Sequence, residues 1–269
     1  MINRSATPLV LKFLNHFPAV AIIGPRQAGK TTLAKLIQTQ IKKESTYLDL
    51  ERSADLVKIE DPSLYLETRT DELIIFDEIQ RRPELFPEMR SLIDRHRFPG
   101  RFLILGSATP DLIRQSSESL AGRITYIELT PFHILEIDDE DIDKLWIKGG
   151  FPEPFLSQDD EIRQEWHQSF ISAYIERDLP MLGLNTSTVQ LRKFLNMIAG
   201  IQGNILNIQM LSRSMGVSAT TTLRYLDYLE KSFLIRRLLP FHINIKKRLV
   251  KSPKFYIRDT GILHSLLNI

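Results

Sequence analysis

Cysteine is absent from the 269 residues, which excludes disulfides and thiolate metal sites. The six histidines show no ligand-like spacing, so no structural zinc is expected. No apolar run approaches the roughly 20 residues needed to span a bilayer. Met1–Asn15 lacks the apolar block and small-residue cleavage site of a secretory signal. No membrane partner is expected, and the cytoplasm is the default location. Internal repeats and low-complexity tracts are also missing.

What remains is ordinary globular material, 43% hydrophobic and 25% charged. The length suits two modules and is enough to bury a core without staples. The net charge of +2 hides an asymmetry. Residues 1–160 hold 20 Lys and Arg against 26 Asp and Glu, whereas the remainder holds 15 against 7. Lys231–Arg258 carries nine basic residues and no acid. An acidic front and a basic back fit two domains with different partners, or simply two solvated surfaces.

The front alternates short apolar strands with helical stripes. Strands are expected at 18–24, 46–50, 73–77, 101–106 and 124–129, and helices at 30–41, 84–96 and 111–120. That alternation argues for a parallel α/β sheet. After Pro131 the chain turns acidic, passes through the turn-forming Lys148-Gly-Gly-Phe-Pro-Glu-Pro154, and then reads as mostly helical. Three parts follow: a core at 1–132, a helical lid or connector at 133–182, and a further domain at 183–269.

Gly24-Pro25-Arg26-Gln27-Ala28-Gly29-Lys30-Thr31 matches the G-x-x-x-x-G-K-[ST] phosphate loop in full, framed by an apolar strand before it and an amphipathic helix after it. Gly24 and Gly29 let the backbone wrap closely around a polyphosphate. Successive N–H groups and the helix N-terminus supply donors. Lys30 is expected on the β- and γ-phosphates and the Thr31 hydroxyl on Mg²⁺, with Thr32 beside them and ATP as the nucleotide.

Leu73–Phe76 lead into Asp77-Glu78-Ile79-Gln80. An acid at the carboxyl end of a buried strand faces the crevice where α/β sheets bind ligands. Asp77 is therefore a candidate metal ligand and Glu78 a candidate general base. Phe102–Gly106 ends in Ser107 and Thr109. In AAA+-like sheets the strand between the loop strand and the acidic strand ends in a residue that senses the γ-phosphate. Ser107 fits that role with Thr109 as an alternative, unless these hydroxyls only cap a helix near Pro110. Arg123 is a candidate arginine finger, in cis or from a neighbouring subunit, or else a surface arginine closing a helix. Arg26 and Gln80 are weaker candidates for the same neighbourhood.

Further back, Ile208, Leu211 and Met215 share a helical face and Gly216-Val-Ser218 makes a turn. The next helix is expected to bury Leu223, Leu226, Leu229 and Phe233 and to expose Thr220, Thr221, Arg224, Tyr225, Tyr228 and Lys231. This is a helix-turn-helix signature. With strands at 233–239 and 254–258 it predicts a winged helix. If that element meets DNA, Thr220, Thr221 and Arg224 approach bases, and Arg236, Arg237, Lys246, Lys247, Arg248 and Lys251 approach phosphates. A protein contact is the alternative.

The chain resembles the prokaryotic AAA+-superfamily ATPases that carry an associated C-terminal region of unknown function. The likeness runs through the phosphate loop, Tyr47-Leu-Asp-Leu-Glu51, Phe76-Asp-Glu-Ile-Gln80, Leu105-Gly-Ser-Ala-Thr109, Ser119-Leu-Ala-Gly-Arg123 and Leu129-Thr-Pro-Phe132. It continues through Gly149-Gly-Phe-Pro-Glu153, Tyr174-Ile-Glu-Arg-Asp178 and Ser252-Pro-Lys-Phe-Tyr256 with Asp259-Thr-Gly261. The resemblance implies an AAA+-like core, Mg²⁺-dependent ATP hydrolysis that drives a conformational change, and a homo-oligomer or protein partner as an open option. A nucleotide-gated DNA or protein switch with slow hydrolysis is the other reading. Members of that group usually continue into a nuclease-like α/β domain, so a chain stopping at Ile269 is expected to be a shortened member or a fragment.

Overall fold

The computed structural model describes residues 2–106, 116, 118–184, 186–241 and 252–269. It divides into two compact units, the first of residues 1–131 and 135–137, the second of 132–134 and 138–269.

In the first unit five strands form one parallel sheet: β1 (Ala19–Ile23), β2 (Ser45–Asp49), β3 (Leu73–Asp77), β4 (Phe102–Gly106) and β5 (Ile124–Glu128), in the order β2-β3-β4-β1-β5. The alternating residues of these strands face opposite layers. Val20, Ile22, Leu73, Ile75, Leu103 and Leu105 pack with Val10 and Leu14 of α1 (Ala6–Leu14) and Leu33, Ala34 and Ile37 of α2 (Lys30–Gln40). Ala19, Ala21, Ile74, Phe76, Phe102 and Ile104 pack on the other face. There they meet α3 (Ser53–Lys58), α4 (Pro62–Glu67) and α5 (Leu85–Arg95), which contributes Phe86, Met89, Leu92 and Ile93. Every residue of β3 and β4 is buried, as central strands covered on both faces must be. At about 1.5–3 kcal/mol for each large apolar side chain removed from water, these two layers supply the main driving force for the unit. The expected strands match to within a residue or so, and β4 lies between β1 and β3 as expected. Most of the helix expected at 111–120 falls outside the described residues.

The second unit holds α6 (Ile142–Lys148), α7 (Pro152–Leu156), α8 (Asp160–Ala173), α9 (Thr188–Ala199), α10 (Ile208–Met215), α11 (Ala219–Lys231) and α12 (Thr260–Leu267), with an antiparallel pair β6 (Ile235–Leu238) and β7 (Lys254–Ile257). A π-helical turn, Tyr174–Asp178, follows α8. The expected division near residue 182 has no counterpart in the packing. One apolar cluster runs from Phe151 and Ile171 through Leu191, Phe194 and Leu226 to Phe255 and Leu266. The hydroxyls of Tyr174 and Ser232 bond across the expected boundary.

The helix-turn-helix forms between α10 and α11. Gly216 ends α10 in the left-handed region, and the Ser218 hydroxyl accepts the Thr221 N–H at 3.0 Å. The burial of α11 is rotated from expectation. Thr222, Tyr225, Leu226 and Leu229 are inside, while Leu223 is 41% exposed. Spacing of i, i+3, i+4, i+7 defines this stripe better than leucine identity does. Tyr225 packs edge-on against Phe194 and its hydroxyl pairs with Thr186 at 2.9 Å.

Two glycine motifs lock together in this unit. The buried Asp259 carboxylate accepts the Gly150 N–H at 2.7 Å and the Ile262 N–H at 2.9 Å. A side chain on Gly261 would meet His167 Nε2 at 2.6 Å. His167 is itself buried, with Nε2 lacking a partner among the described residues. Burial first, then the Arg163 charge, depresses its pKa from 6.5 to about 4. The unfolded chain therefore takes up a proton on this ring at a higher pH than the folded chain does. Stability is full above pH 6.5 and falls as pH drops from there toward 4, by up to about 3 kcal/mol. Urea unfolding at several pH values should show this fall, and a His167→Phe variant that keeps the wild-type slope would refute the assignment.

Candidate nucleotide site

The phosphate loop leaves β1 at Gly24 and enters α2 at Lys30. Gly29, the residue before the helix, has φ 93°, a conformation that L side chains resist. Gly24 has a packing reason to be glycine beside the one its motif suggests. A Cβ there would run directly into the Leu129 carbonyl oxygen, so close packing of the loop on the chain leaving β5 demands it. Pro25 and Ala28 are buried, Arg26 is half-buried, and Gln27 is exposed with φ 61°. Lys30 is buried, with its ammonium donating to the Gly24 and Pro25 carbonyls at 3.1 and 2.8 Å. Thr32 is exposed beside Thr31 in the first turn of α2.

Strand parity places Asp77. It follows Leu73 and Ile75 on the face covered by α2, and so points toward the first turn of that helix. Thr31 Oγ1 donates to Asp77 Oδ2 at 2.6 Å. Tyr47 of β2 donates its phenol to the same oxygen at 2.5 Å. Burial, then that hydrogen bond, raises the Tyr47 pKa, so it stays a donor throughout the working range. Sequence reasoning missed Tyr47. The signal was its place two residues before Asp49, the register partner of Asp77.

Asp77 Oδ1 accepts the N–H of Glu78 at 2.9 Å. Glu78 adopts φ 56° and ψ 43°, a left-handed conformation that ends β3 and leads into the turn at Ile79–Arg81. Gln80 Nε2 donates to Glu78 Oε2, while Gln80 Oε1 is buried without a partner among the described residues. Such an unmet acceptor typically costs about 1–3 kcal/mol.

Arg123 sits elsewhere. Its carbonyl accepts the Ala19 N–H, which puts it at the amino end of β1, whereas the loop leaves the carboxyl end. Its guanidinium is held by Asp94 at 2.7 Å and by the Ala121 carbonyl at 2.8 Å. The cis finger is thus a misreading: Arg123 stands immediately before β5, and in a parallel sheet that is the end opposite the loop, which follows β1. Ser107 and Thr109 lie outside the described residues. Among the described residues no cluster of His, Asp and Glu forms a preassembled metal cage. The fit to magnesium rests on the Thr31 hydroxyl and the Asp77 carboxylate, both hard oxygen donors.

Residues 16–137 match the model of an AAA domain. Residues 139–269 match a domain described only as being of unknown function. The junction of the two coincides with the division between the structural units, five residues beyond the boundary expected at 132. Uncharacterized proteins of Mycobacterium tuberculosis and Mycobacterium bovis are 42% identical over 267 residues, 99% of this chain and 60% of each relative. An uncharacterized protein of Methanocaldococcus jannaschii is 24% identical over 88% of this chain and 60% of its own length. The chain thus spans 60% of the length of the curated relatives it matches. A Walker-type ATPase of Pyrococcus abyssi superposes with TM-score 0.69 at 14% identity, covering 99% of this chain and 96% of that one. That likeness establishes the fold: a parallel central sheet with helices, as in P-loop nucleotide-binding proteins.

The Gly24 contact makes a stability prediction for the AAA segment that is independent of any ligand. Gly24→Ala should destabilise the protein by about 1–3 kcal/mol through overpacking against Leu129. Chemical denaturation of the nucleotide-free protein reads this out; an unchanged midpoint would contradict the packing described.

Proposed function

We propose that this chain binds ATP with Mg²⁺ and hydrolyses it, an AAA+-type turnover that drives a conformational change. The observation that carries the reading is the 2.6 Å contact between Thr31 and Asp77, which are 46 residues apart in sequence. It brings the hydroxyl of the phosphate loop and the carboxylate of the acidic strand to one point. Magnesium held there supplies charge neutralisation for the phosphates. Lys30 exchanges its loop carbonyls for phosphate oxygens. The N–H groups around Gly29 and the start of α2 orient the same phosphates. Tyr47 holds Asp77 in register. Glu78 takes the proton of the attacking water once it leaves Gln80.

Lys30→Ala should abolish nucleotide binding, whereas Glu78→Gln should retain binding and lose about 10²–10⁴-fold in turnover. Equilibrium binding of a fluorescent ATP analogue and a phosphate-release assay separate the two. Normal turnover in Glu78→Gln would remove it as the base. A role for Arg123 at the nucleotide requires a second copy of the chain.

The helix-turn-helix and hairpin of the second unit support a winged-helix reading, whose partner is DNA or protein. Of the residues expected on phosphates, Arg237 is already committed to Asp227 at 2.7 Å and to Glu230. Arg236 is exposed. Lys246, Lys247, Arg248 and Lys251 lie outside the described residues. DNA contact should appear as an affinity that falls steeply as salt rises. Absence of binding at low salt would leave the protein-partner reading.

A further inference from the structure

Arg4 stands outside every motif, yet its side chain is 8% exposed and lies behind the phosphate loop. Nη1 donates to the Ala28 carbonyl at 2.8 Å, and Nη2 donates to the Thr130 carbonyl. Nε lies 3.2 Å from both carboxylate oxygens of Glu136. Glu136 is more deeply buried, at 1% side-chain exposure, and also accepts the Ser5 N–H at 2.8 Å and the Ser5 hydroxyl at 2.9 Å. One planar guanidinium therefore joins the chain start, the loop, the segment after β5 and residues 135–137, which close the first unit. Lysine, a single point donor, cannot span those acceptors in the same way.

The peptide between Ala28 and Gly29 gives this arrangement its consequence. A trans peptide points its C=O and N–H to opposite sides. Fixing the Ala28 carbonyl on Arg4 fixes the Gly29 N–H on the side away from Arg4. Gly29, at φ 93°, can otherwise rotate more freely than any other residue type.

From this geometry we infer that Arg4, charged and oriented by Glu136, is a positioning residue that presets the Gly29 amide for phosphate. Through the same pair, residues 135–137 respond to whether the loop is filled. This rests on the reading that the loop binds Mg·ATP. It adds a residue that the motif does not contain and a route from the loop to the chain segment that leads out of the first unit.

The test compares wild type, Lys30→Ala, Arg4→Gln, Arg4→Lys and Glu136→Gln in the full chain. Affinity for a fluorescent ATP analogue with magnesium, melting temperature, and amide exchange at Gly29 and residues 135–137 are measured for each. Arg4→Gln should weaken binding at least tenfold at a temperature where it remains folded, and should speed exchange at Gly29 in the nucleotide-free protein. Arg4→Lys and Glu136→Gln should lie between it and wild type. Nucleotide should slow exchange at 135–137 in wild type but not in Arg4→Gln. Should Arg4→Gln not fold, the ordering of the other two variants decides. Binding that is lost in Lys30→Ala but unchanged in the Arg4 and Glu136 variants, with only their melting temperatures lowered, would make the pair merely structural and overturn the proposal while sparing the loop reading. Failure of wild type to bind would overturn both.

Discussion

The Asp77 carboxylate at the end of β3 holds two other chain segments and its own backbone on one side chain. Thr31 reaches it from the first turn of α2, Tyr47 from β2, and the Glu78 N–H from its own backbone. Two hydroxyls donating to a single carboxylate oxygen offset much of the cost of burying that charge. They also bring the loop helix into register with the edge of the sheet. Among the described bonds, the one between Thr31 and Asp77 ties the loop helix to the acidic strand.

The sheet makes this arrangement almost inevitable. A parallel sheet buried on both faces has no place for polar groups except its ends, and the carboxyl ends of β1, β2 and β3 all lie along one edge. Parity does the rest. Asp77 inherits the α2 face from Leu73 and Ile75, whereas Glu78 ends the strand in a left-handed conformation. The two adjacent acids have different partners. Asp77 is tied to hydroxyls, and Glu78 is tied to a side-chain amide whose own oxygen is left unmet. An arrangement with one unsatisfied partner is the easier of the two to rearrange.

Much of this was legible in the sequence because it is local. The strands of the first unit are continuous apolar runs, and the loop motif is a backbone requirement written in consecutive residues. Long-range reasons were not legible. Gly24 reads as room for phosphate, and the packing constraint that Leu129, more than a hundred residues later, also places on it was not legible. Tyr47 reads as a strand residue, and only the pairing of β2 with β3 brings its hydroxyl to Asp77. Arg123 reads as a finger or a surface arginine, yet its place directly before the strand at 124–129 of a parallel sheet already sets it at the end opposite the loop. On α11, Leu226 and Leu229 are buried as expected, but Leu223 misled, since Thr222 and Tyr225 complete the buried stripe that helical periodicity defines.

The second unit follows the same rule in a different form. Gly149-Gly-Phe-Pro reads as turn chemistry, and Asp259-Thr-Gly261 as a separate segment of the family resemblance. In the fold they are one object: the Asp259 carboxylate receives the Gly150 N–H, and Gly261 leaves room for His167. Burial raises the pKa of that aspartate, and three backbone N–H groups act against the rise. An acid so enclosed caps and fastens the start of α12 rather than doing chemistry in solvent. The polar residues that match between the two motifs are therefore accounted for by packing within the second unit. Among the described residues, a hydroxyl, a carboxylate and an ammonium group gather instead around the loop at the carboxyl ends of the first unit's strands.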